Sequence, residues 1–219
     1  LDLGNLPVTK ALNLTGGALA NAGAYAGTAT IAAGQAFTLD AALGGTVAVA
    51  GTLNTATGAA FTGATVNVAA GATLDATGSA GLAIAGNSRL NLNGTAVTGA
   101  GNALAIGATG TLQSTAGVVT GDLSLAGTFV AALGAPGTLA APNTAAELTV
   151  TGDATLGGVL RLTSAGAAGA GSYRLVTAAG ATTGAFASVA VQGIDNAALH
   201  QVVTTDAGVT RVDLFRLAA

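Results

Sequence analysis

The sequence predicts an all-β fold, a single-chain β-solenoid (β-helix) in which short strands wind into stacked coils. Three observations predict it: a repeat of about 18–20 residues, apolar residues that alternate with period two inside each repeat, and glycine between the short apolar runs. Alanine-rich sequence also suits helices, but the 35 glycines are spread through the chain. Because each helical glycine costs about 1 kcal/mol relative to alanine, the helical interpretation fails.

The repeat is visible as consecutive segments of similar length. The first three segments are equal in length and the next two are slightly longer: 28–45, 46–63, 64–81, 82–101 and 102–121. Residues 10–27 form an earlier, less regular coil. One coil cannot bury its own apolar face, so neighbouring coils are expected to hydrogen-bond and share a core.

Each repeat shows the same order of residue types. An apolar pair opens the repeats: Val47 and Val49, Val66 and Val68, Leu82 and Ile84, Leu104 and Ile106, Leu123 and Leu125. A bend glycine follows at positions 51, 71, 86, 110 and 127. A further inward residue comes next: Leu53, Leu74, Leu90, Leu112 and Phe129. These equivalences predict which residues share one side of the core.

The pattern predicts one continuous domain with three parts. Residues 1–133 form the regular coils. Residues 134–146, which hold two of the three prolines, form a loop. Residues 147–219 have longer apolar runs and most of the charge, so they are expected to form wider coils whose last member is solvated on its outer edge.

Composition excludes several classes of protein. Charged residues make up 7% of the chain, and the six Lys and Arg residues are scattered, which argues against nucleic acid and anionic membranes as partners. No apolar run is long enough for a transmembrane helix. The absence of cysteine excludes disulfides and thiolate metal sites. Because the chain begins at Leu1, we expect a processed chain or a fragment.

Residues 145–217 resemble the passenger-terminal region of bacterial type V autotransporters. The family pattern G-x-x-x-L-G-G-x-L, Y-x-L-[VI]-x-A and G-x-F-x-x-V is matched at Gly152, Leu156, Gly157, Gly158, Leu160, Tyr173, Leu175, Val176, Ala178, Gly184, Phe186 and Val189. The resemblance implies a right-handed β-helix exported to the outer surface of a Gram-negative bacterium. It also implies that residues 147–219 are a stable C-terminal folding cap, packed with the coils as one continuous domain. The family continues into a membrane barrel, whereas this sequence ends at Ala219. We therefore expect a cleaved passenger, an excised segment or a relative without a barrel.

Candidate catalytic residues are few, and we predict that the protein is not an enzyme. His200 is the single histidine, and its strand-like surroundings favour an ordinary solvated side chain over a catalytic one. One histidine with sparse acids does not supply a metal site. Lys10 is the single lysine and no phosphate-binding glycine motif contains it. We therefore expect no catalytic residues, no cofactor and no metal.

A row of polar residues follows the inward leucines and suggests, as one alternative, a site for cleaving polysaccharides. The row comprises Asp40, Asn54, Asp75, Asn91 and Gln113. Glycoside hydrolysis needs two carboxyl groups about 5–10 Å apart. Because an amide residue separates the two acids, we expect an outward polar ladder and not an active site.

Threonine pairs suggest an ice-binding face as a further alternative. Thr28 with Thr30 and Thr55 with Thr57 form such pairs. The pairs are out of register in the repeat, so we interpret them as ordinary outward strand residues.

The function expected from these observations is that of an extracellular structural or adhesive module. The expected partner is the protein itself, through head-to-tail or lateral strand edges, with cell-surface carbohydrate as a second possibility. In the head-to-tail arrangement, residues 1–6 pair with a neighbour's residues 212–217. The alternative is an adhesin stalk of the autotransporter kind.

Overall fold

The computed structural model describes residues 1–17, 19–164, 169–192 and 199–216. Over these residues the chain consists of strands, turns and bends without any helix, so the predicted all-β class is confirmed. A helix with the length and apolar character needed to cross a membrane is accordingly not found in this part of the chain.

Two sheets of nine strands form the long walls of the molecule. In sheet I all strands are parallel, in the order β1 (Leu12–Asn13), β2 (Thr28–Ile31), β5 (Thr46–Val49), β8 (Thr65–Val68), β11 (Arg89–Leu92), β14 (Thr111–Ser114), β17 (Thr128–Leu133), β20 (Val159–Ser164) and β23 (Ser188–Gln192). Sheet II runs through β3 (Ala36–Leu39), β6 (Thr52–Ala56), β9 (Thr73–Gly78), β12 (Thr95–Val97), β15 (Gly117–Thr120), β18 (Leu148–Val150), β21 (Gly171–Ala178), β25 (Val209–Arg216) and β24 (Leu199–Asp206).

A third wall is made of shorter strands. Sheet III contains β10 (Leu82–Ile84), β13 (Ala103–Ile106), β16 (Asp122–Leu125), β19 (Ala154–Leu156) and β22 (Thr182–Gly184). A two-stranded sheet of β4 (Ala42–Leu43) and β7 (Ala60–Phe61) packs against β10 and extends this wall. Each coil therefore passes from sheet I to sheet II to the third wall and back, which is the parallel stacking that the repeat predicts.

The core lies between the three walls and is built from vertical columns of aliphatic side chains. One column of sheet I is fully buried from strand to strand: Val47, Val66, Leu90, Leu112, Phe129 and Leu160. Along each strand the buried residues alternate with outward ones, as the period of two requires. The core is filled mostly by Val, Leu, Ile and Ala, so few aromatic residues are needed to fill it.

The predicted repeat length holds for the first coils and again for the step from Thr111 to its partner Thr128, but not for every coil. Thr46 lies opposite Thr65, which is close to the predicted spacing, but Thr65 lies opposite Arg89, which is a longer step along the chain. The step from Thr128 to its partner Val159 is longer again. Coils lengthen because their turns grow, and the 134–146 segment is one such long connection.

The predicted equivalence of the apolar pairs is wrong after residue 74. Val66 is followed in its column by Leu90, whereas Leu82 stands opposite Leu104 in sheet III. The error has a physical reason. Alternation shows whether a side chain points inward or outward, but strands of all three walls have the same period-two pattern, so the pattern does not show which wall a strand belongs to. The predicted apolar pairs therefore mix residues of sheets I and III, and the predicted further inward residues mix residues of sheets II and I.

The C-terminal end differs from the rest because it is antiparallel. Strand β25 pairs with β21 and with β24, so a hairpin extends sheet II beyond the last parallel strand. The 134–146 segment lies beside β21, where the amide of Ser172 donates to the Gly137 carbonyl at 3.0 Å and the amide of Arg174 donates to the Asn143 carbonyl at 2.9 Å. Because β25 is paired on both sides, the expected outer edge at 212–217 is wrong for residues 212–216, and residue 217 lies outside the described residues. In the described part of sheet II, β24 is the edge strand at this end.

Candidate functional site

Sheet I presents a regular outward face to solvent. Five threonines, interrupted by Arg89, stand in one column of directly opposed residues: Thr28, Thr46, Thr65, Thr111 and Thr128. The Thr55 of the second predicted pair points into the core of sheet II and is buried. The predicted pairs are thus not stacked on each other, but a single hydroxyl column exists that the sequence repeat did not show.

Beside the threonines runs a short column of amide side chains. Asn67, Asn91 and Gln113 face each other on successive strands. The Asn91 Nδ2 donates to the Asn67 Oδ1 at 2.6 Å, and the Arg89 Nε donates to the Asn91 Oδ1 at 2.7 Å. Arg89 also donates to the Gln113 Oε1. The guanidinium group therefore lies along the sheet and fixes the amides, as expected for a ladder with a structural role.

The predicted polar row is divided between two walls. Asn54 lies opposite Asp75 in sheet II, whereas Asn91 lies opposite Gln113 in sheet I. The Asp75 Oδ1 accepts hydrogen bonds from the amide of Thr77 at 2.9 Å and from its hydroxyl at 2.7 Å. Asp75 is thus engaged in a local turn, and the structure does not place it opposite a second carboxylate. The prediction of one continuous five-membered ladder is wrong, for the same reason that the apolar columns are mixed.

A shallow depression lies at the N-terminal half of the sheet I face. It is open to solvent, has a volume of about 250 Å³ and lies over Ala48, between Thr30 and Asn67. The depression forms because the Ala48 side chain is smaller than those of Thr30 and Asn67 on either side of it. Its floor is mostly apolar and its polar groups are few, so it is a weak candidate for a specific small-molecule site.

His200 lies in the edge strand β24, where its backbone is opposite that of Phe215. Its side chain lies outside the described residues. Within the part of the chain that the structure describes, no group of three or more His, Cys, Asp or Glu residues is arranged to hold a metal ion.

The two ends of the stack expose apolar side chains. At the C-terminal end, Val189 and Val191 of β23 are half-buried, although Leu160 and Leu162, their neighbours in the preceding strand, are fully buried. Val202 on the edge strand β24 is 45% exposed.

At the N-terminal end, residues 1–8 lie along the first coil. The Leu3 amide donates to the Ala20 carbonyl at 3.0 Å. The side chains of Leu1 and Leu6 are nevertheless 69% and 63% exposed. Both ends thus offer apolar surface next to strand backbone, which is the feature that edge-to-edge association uses.

In comparisons of the chain with family models, with curated proteins and with solved structures, nothing matched.

Proposed function

We propose that the protein is an extracellular structural or adhesive β-solenoid of a bacterial surface, that it has no catalytic role and that it associates with further copies of itself. The observation that supports this most is the exposed apolar surface beside strand edges at both ends of an in-register stack. An edge strand with an exposed valine, such as β24 with Val202, favours pairing with another chain.

The two ends differ from each other, so the contact that we propose is head to tail. Leu1 and Leu6 of one copy would meet the β23 and β24 end of the next. A contact between two different surfaces does not close on itself, and its repetition produces a filament. This replaces the pairing through residues 212–217, since β25 already has two neighbours.

The proposal is tested by sedimentation velocity over a wide range of protein concentration, with negative-stain microscopy of the concentrated sample. We expect species larger than the monomer that increase with concentration. In the Val202→Lys variant we expect them to decrease, because a lysine on an edge strand opposes pairing. The matched control is Val118→Lys, the same change at an outward position in an interior strand of the same sheet.

Monomers at every concentration would contradict self-association. An equal effect of Val118→Lys and Val202→Lys would show that a lysine anywhere on the sheet, and not the edge, is responsible.

The autotransporter resemblance supports a variant of this proposal, in which the chain is the stalk of an adhesin at the surface of a Gram-negative bacterium. In that case the monomer is the working form, and binding to carbohydrate or a host surface replaces filament growth. Monomeric protein that adheres to cells would favour the stalk over the filament.

The hydroxyl column of sheet I favours ice binding as a second candidate function. Its threonines occupy the same register position on adjacent strands about 4.8 Å apart, with one interruption at Arg89. Thermal hysteresis measured for the wild type and for Thr46→Lys tests this; hysteresis that is absent from the wild type would exclude it.

A further inference from the structure

At the C-terminal end of sheet II, four polar residues lie at directly opposed positions of two antiparallel strands. Ser172 and Arg174 of β21 lie directly opposite Asp213 and Arg211 of β25. The intervening Tyr173 is fully buried in the core, so the residues on either side of it point away from the core. We call these four residues the cap face.

The two arginines of the cap face form an unusual pair. Arg174 stands directly opposite Arg211, and like charges in this position are destabilising by several tenths of a kcal/mol or more. Both side chains are half-buried, and the Nε atoms of both are buried without a hydrogen-bond partner. The pair therefore presents donors that nothing in the described part of the chain satisfies.

The other two residues of the cap face add unpartnered oxygen atoms. Asp213 is 8% exposed and Ser172 is 3% exposed. The Asp213 Oδ1 and the Ser172 Oγ are both buried without a hydrogen-bond partner. Leaving a buried polar group unsatisfied costs about 1–3 kcal/mol, so four such atoms on one patch indicate that a ligand or solvent completes it.

The chemistry of the four groups defines what would fit. Two guanidinium groups suit a carboxylate, because their planar forks match its two oxygens. A carboxylate side chain and a serine hydroxyl suit the hydroxyl groups of a sugar, which can both donate and accept. With two positive charges and one negative charge the patch is positive by one, which matches a ligand that carries one negative charge.

We propose that the cap face binds a hexuronate unit of an acidic polysaccharide, with the sugar carboxylate on Arg174 and Arg211 and a sugar hydroxyl on Asp213. This inference rests on the adhesive part of the proposed function. Val202 lies directly opposite Asp213, so the cap face is tested with variants that leave Val202 unchanged. It gives the adhesive surface a ligand class and places it on the cap, away from the sheet I face.

The test is isothermal titration of the full chain with oligogalacturonate, with a neutral galactose oligomer of the same length as the ligand control. We expect the acidic oligomer to bind and the neutral one not to bind. Arg174→Gln and Arg211→Gln should each weaken binding about tenfold or more. Arg161→Gln removes the same charge from an exposed outward position of sheet I and should leave binding unchanged.

Two further variants keep the test decisive if an arginine variant unfolds. Arg174→Lys retains the charge without the fork, so we expect an intermediate loss. Asp213→Asn removes the carboxylate that accepts the sugar hydroxyl, so it should weaken oligogalacturonate binding. The same change raises the net charge of the patch, so it should strengthen binding of inorganic phosphate, which does not use that hydroxyl contact. The fold of each variant is checked by its circular dichroism spectrum and thermal midpoint.

Several outcomes would overturn the inference. These are equal binding of the acidic and neutral oligomers, an equal loss in Arg161→Gln, or no binding by the folded wild type at millimolar oligomer. If monomeric galacturonate binds as tightly as the oligomer, the site is one for free sugar acids, and the proposal of a polysaccharide ligand is wrong. Self-association is measured by sedimentation without sugar, so a negative result in the titration does not decide the self-association proposal.

Discussion

Gly158 shows at the scale of a single residue how closely successive coils approach. Its φ of 62° lies in the left-handed region, and a Cβ at this position would overlap the carbonyl oxygen of Gly127 in the preceding coil. Gly71 has a similar φ of 79°, but a Cβ there would have no atom within 4 Å. The two glycines thus separate the cost of the backbone conformation from the cost of coil contact.

We predict that Gly71→Ala lowers the free energy of unfolding by about 1 kcal/mol and that Gly158→Ala lowers it by about 3 kcal/mol or more. Both variants strain the backbone, but only Gly158→Ala pushes two coils apart. Urea unfolding followed by circular dichroism measures the difference. Equal losses in the two variants would mean that the coils do not touch at this corner.

Tyr25 links burial to the dependence of stability on pH. The side chain is buried near the N-terminal end, and its hydroxyl donates to the Lys10 carbonyl at 2.7 Å. Burial raises the pKa of Tyr25 above its usual value of 10.0. The folded chain therefore holds the phenol proton more tightly than the unfolded chain does.

The sign of the effect follows from this difference. The contribution of Tyr25 is fully present below the pKa of the unfolded chain, near pH 10, and is lost as the pH rises through the higher pKa of the folded chain. We predict that Tyr25→Phe lowers the free energy of unfolding by about 1 kcal/mol at pH 7, because the variant lacks the hydrogen bond to Lys10. As the pH rises above 10, the free energy of unfolding should fall less in the variant than in the wild type. Urea unfolding at pH 7 to 11 tests this, and parallel pH profiles would contradict it.

At the scale of the elements, two aspartates tie the corners of successive coils together. The backbone amide of Asp153 donates to the Asp122 Oδ1 at 2.9 Å, and the amide of Ala181 donates to the Asp153 Oδ1 at 2.7 Å. Each carboxylate therefore accepts an amide of the next coil, at the point where the chain enters β16, β19 and β22. This ladder crosses coils, so adjacent positions in the sequence do not reveal it.

We predict that Asp122→Ala lowers the free energy of unfolding by about 2 kcal/mol, because the Asp153 amide loses a charged acceptor. Asp40→Ala is the matched control: Asp40 is exposed, and its removal should change stability by no more than about 0.5 kcal/mol. Chemical denaturation of both variants decides the matter. A loss in Asp40→Ala as large as in Asp122→Ala would point to the overall charge and not to the corner bond.

The elements also show how far the sequence alone predicts this molecule. Alternation of apolar residues correctly predicts strands and their inward side, as at Val47 and Val49, because burial of one face imposes a period of two. It does not predict which wall a strand joins, so alternation alone groups Leu82 with the column that Leu90 occupies. The cap face escapes sequence reasoning for a related reason, since Arg174 and Arg211 are distant in the sequence and only antiparallel pairing brings them together.

At the scale of the whole molecule, the protein is a stack that is regular along one direction. Nine strands of sheet I at about 4.8 Å give a wall about 38 Å long. Each coil contacts chiefly its two neighbours, so stability is expected to be a sum of coil and interface contributions, with the ends as the weakest points. The hairpin of β24 and β25 covers one such end for sheet II alone, and the proposed self-association would cover the remainder.

The most direct test of the stacked arrangement uses engineered cysteine pairs, which the cysteine-free chain permits. Thr65 and Arg89 are neighbours on adjacent strands of sheet I, whereas Ala83 lies in sheet III. Mild oxidation of Thr65→Cys/Arg89→Cys should give an intramolecular disulfide in nearly all molecules, and Thr65→Cys/Ala83→Cys should remain reduced. A disulfide in the second pair and not in the first would contradict the register on which the account of this fold depends.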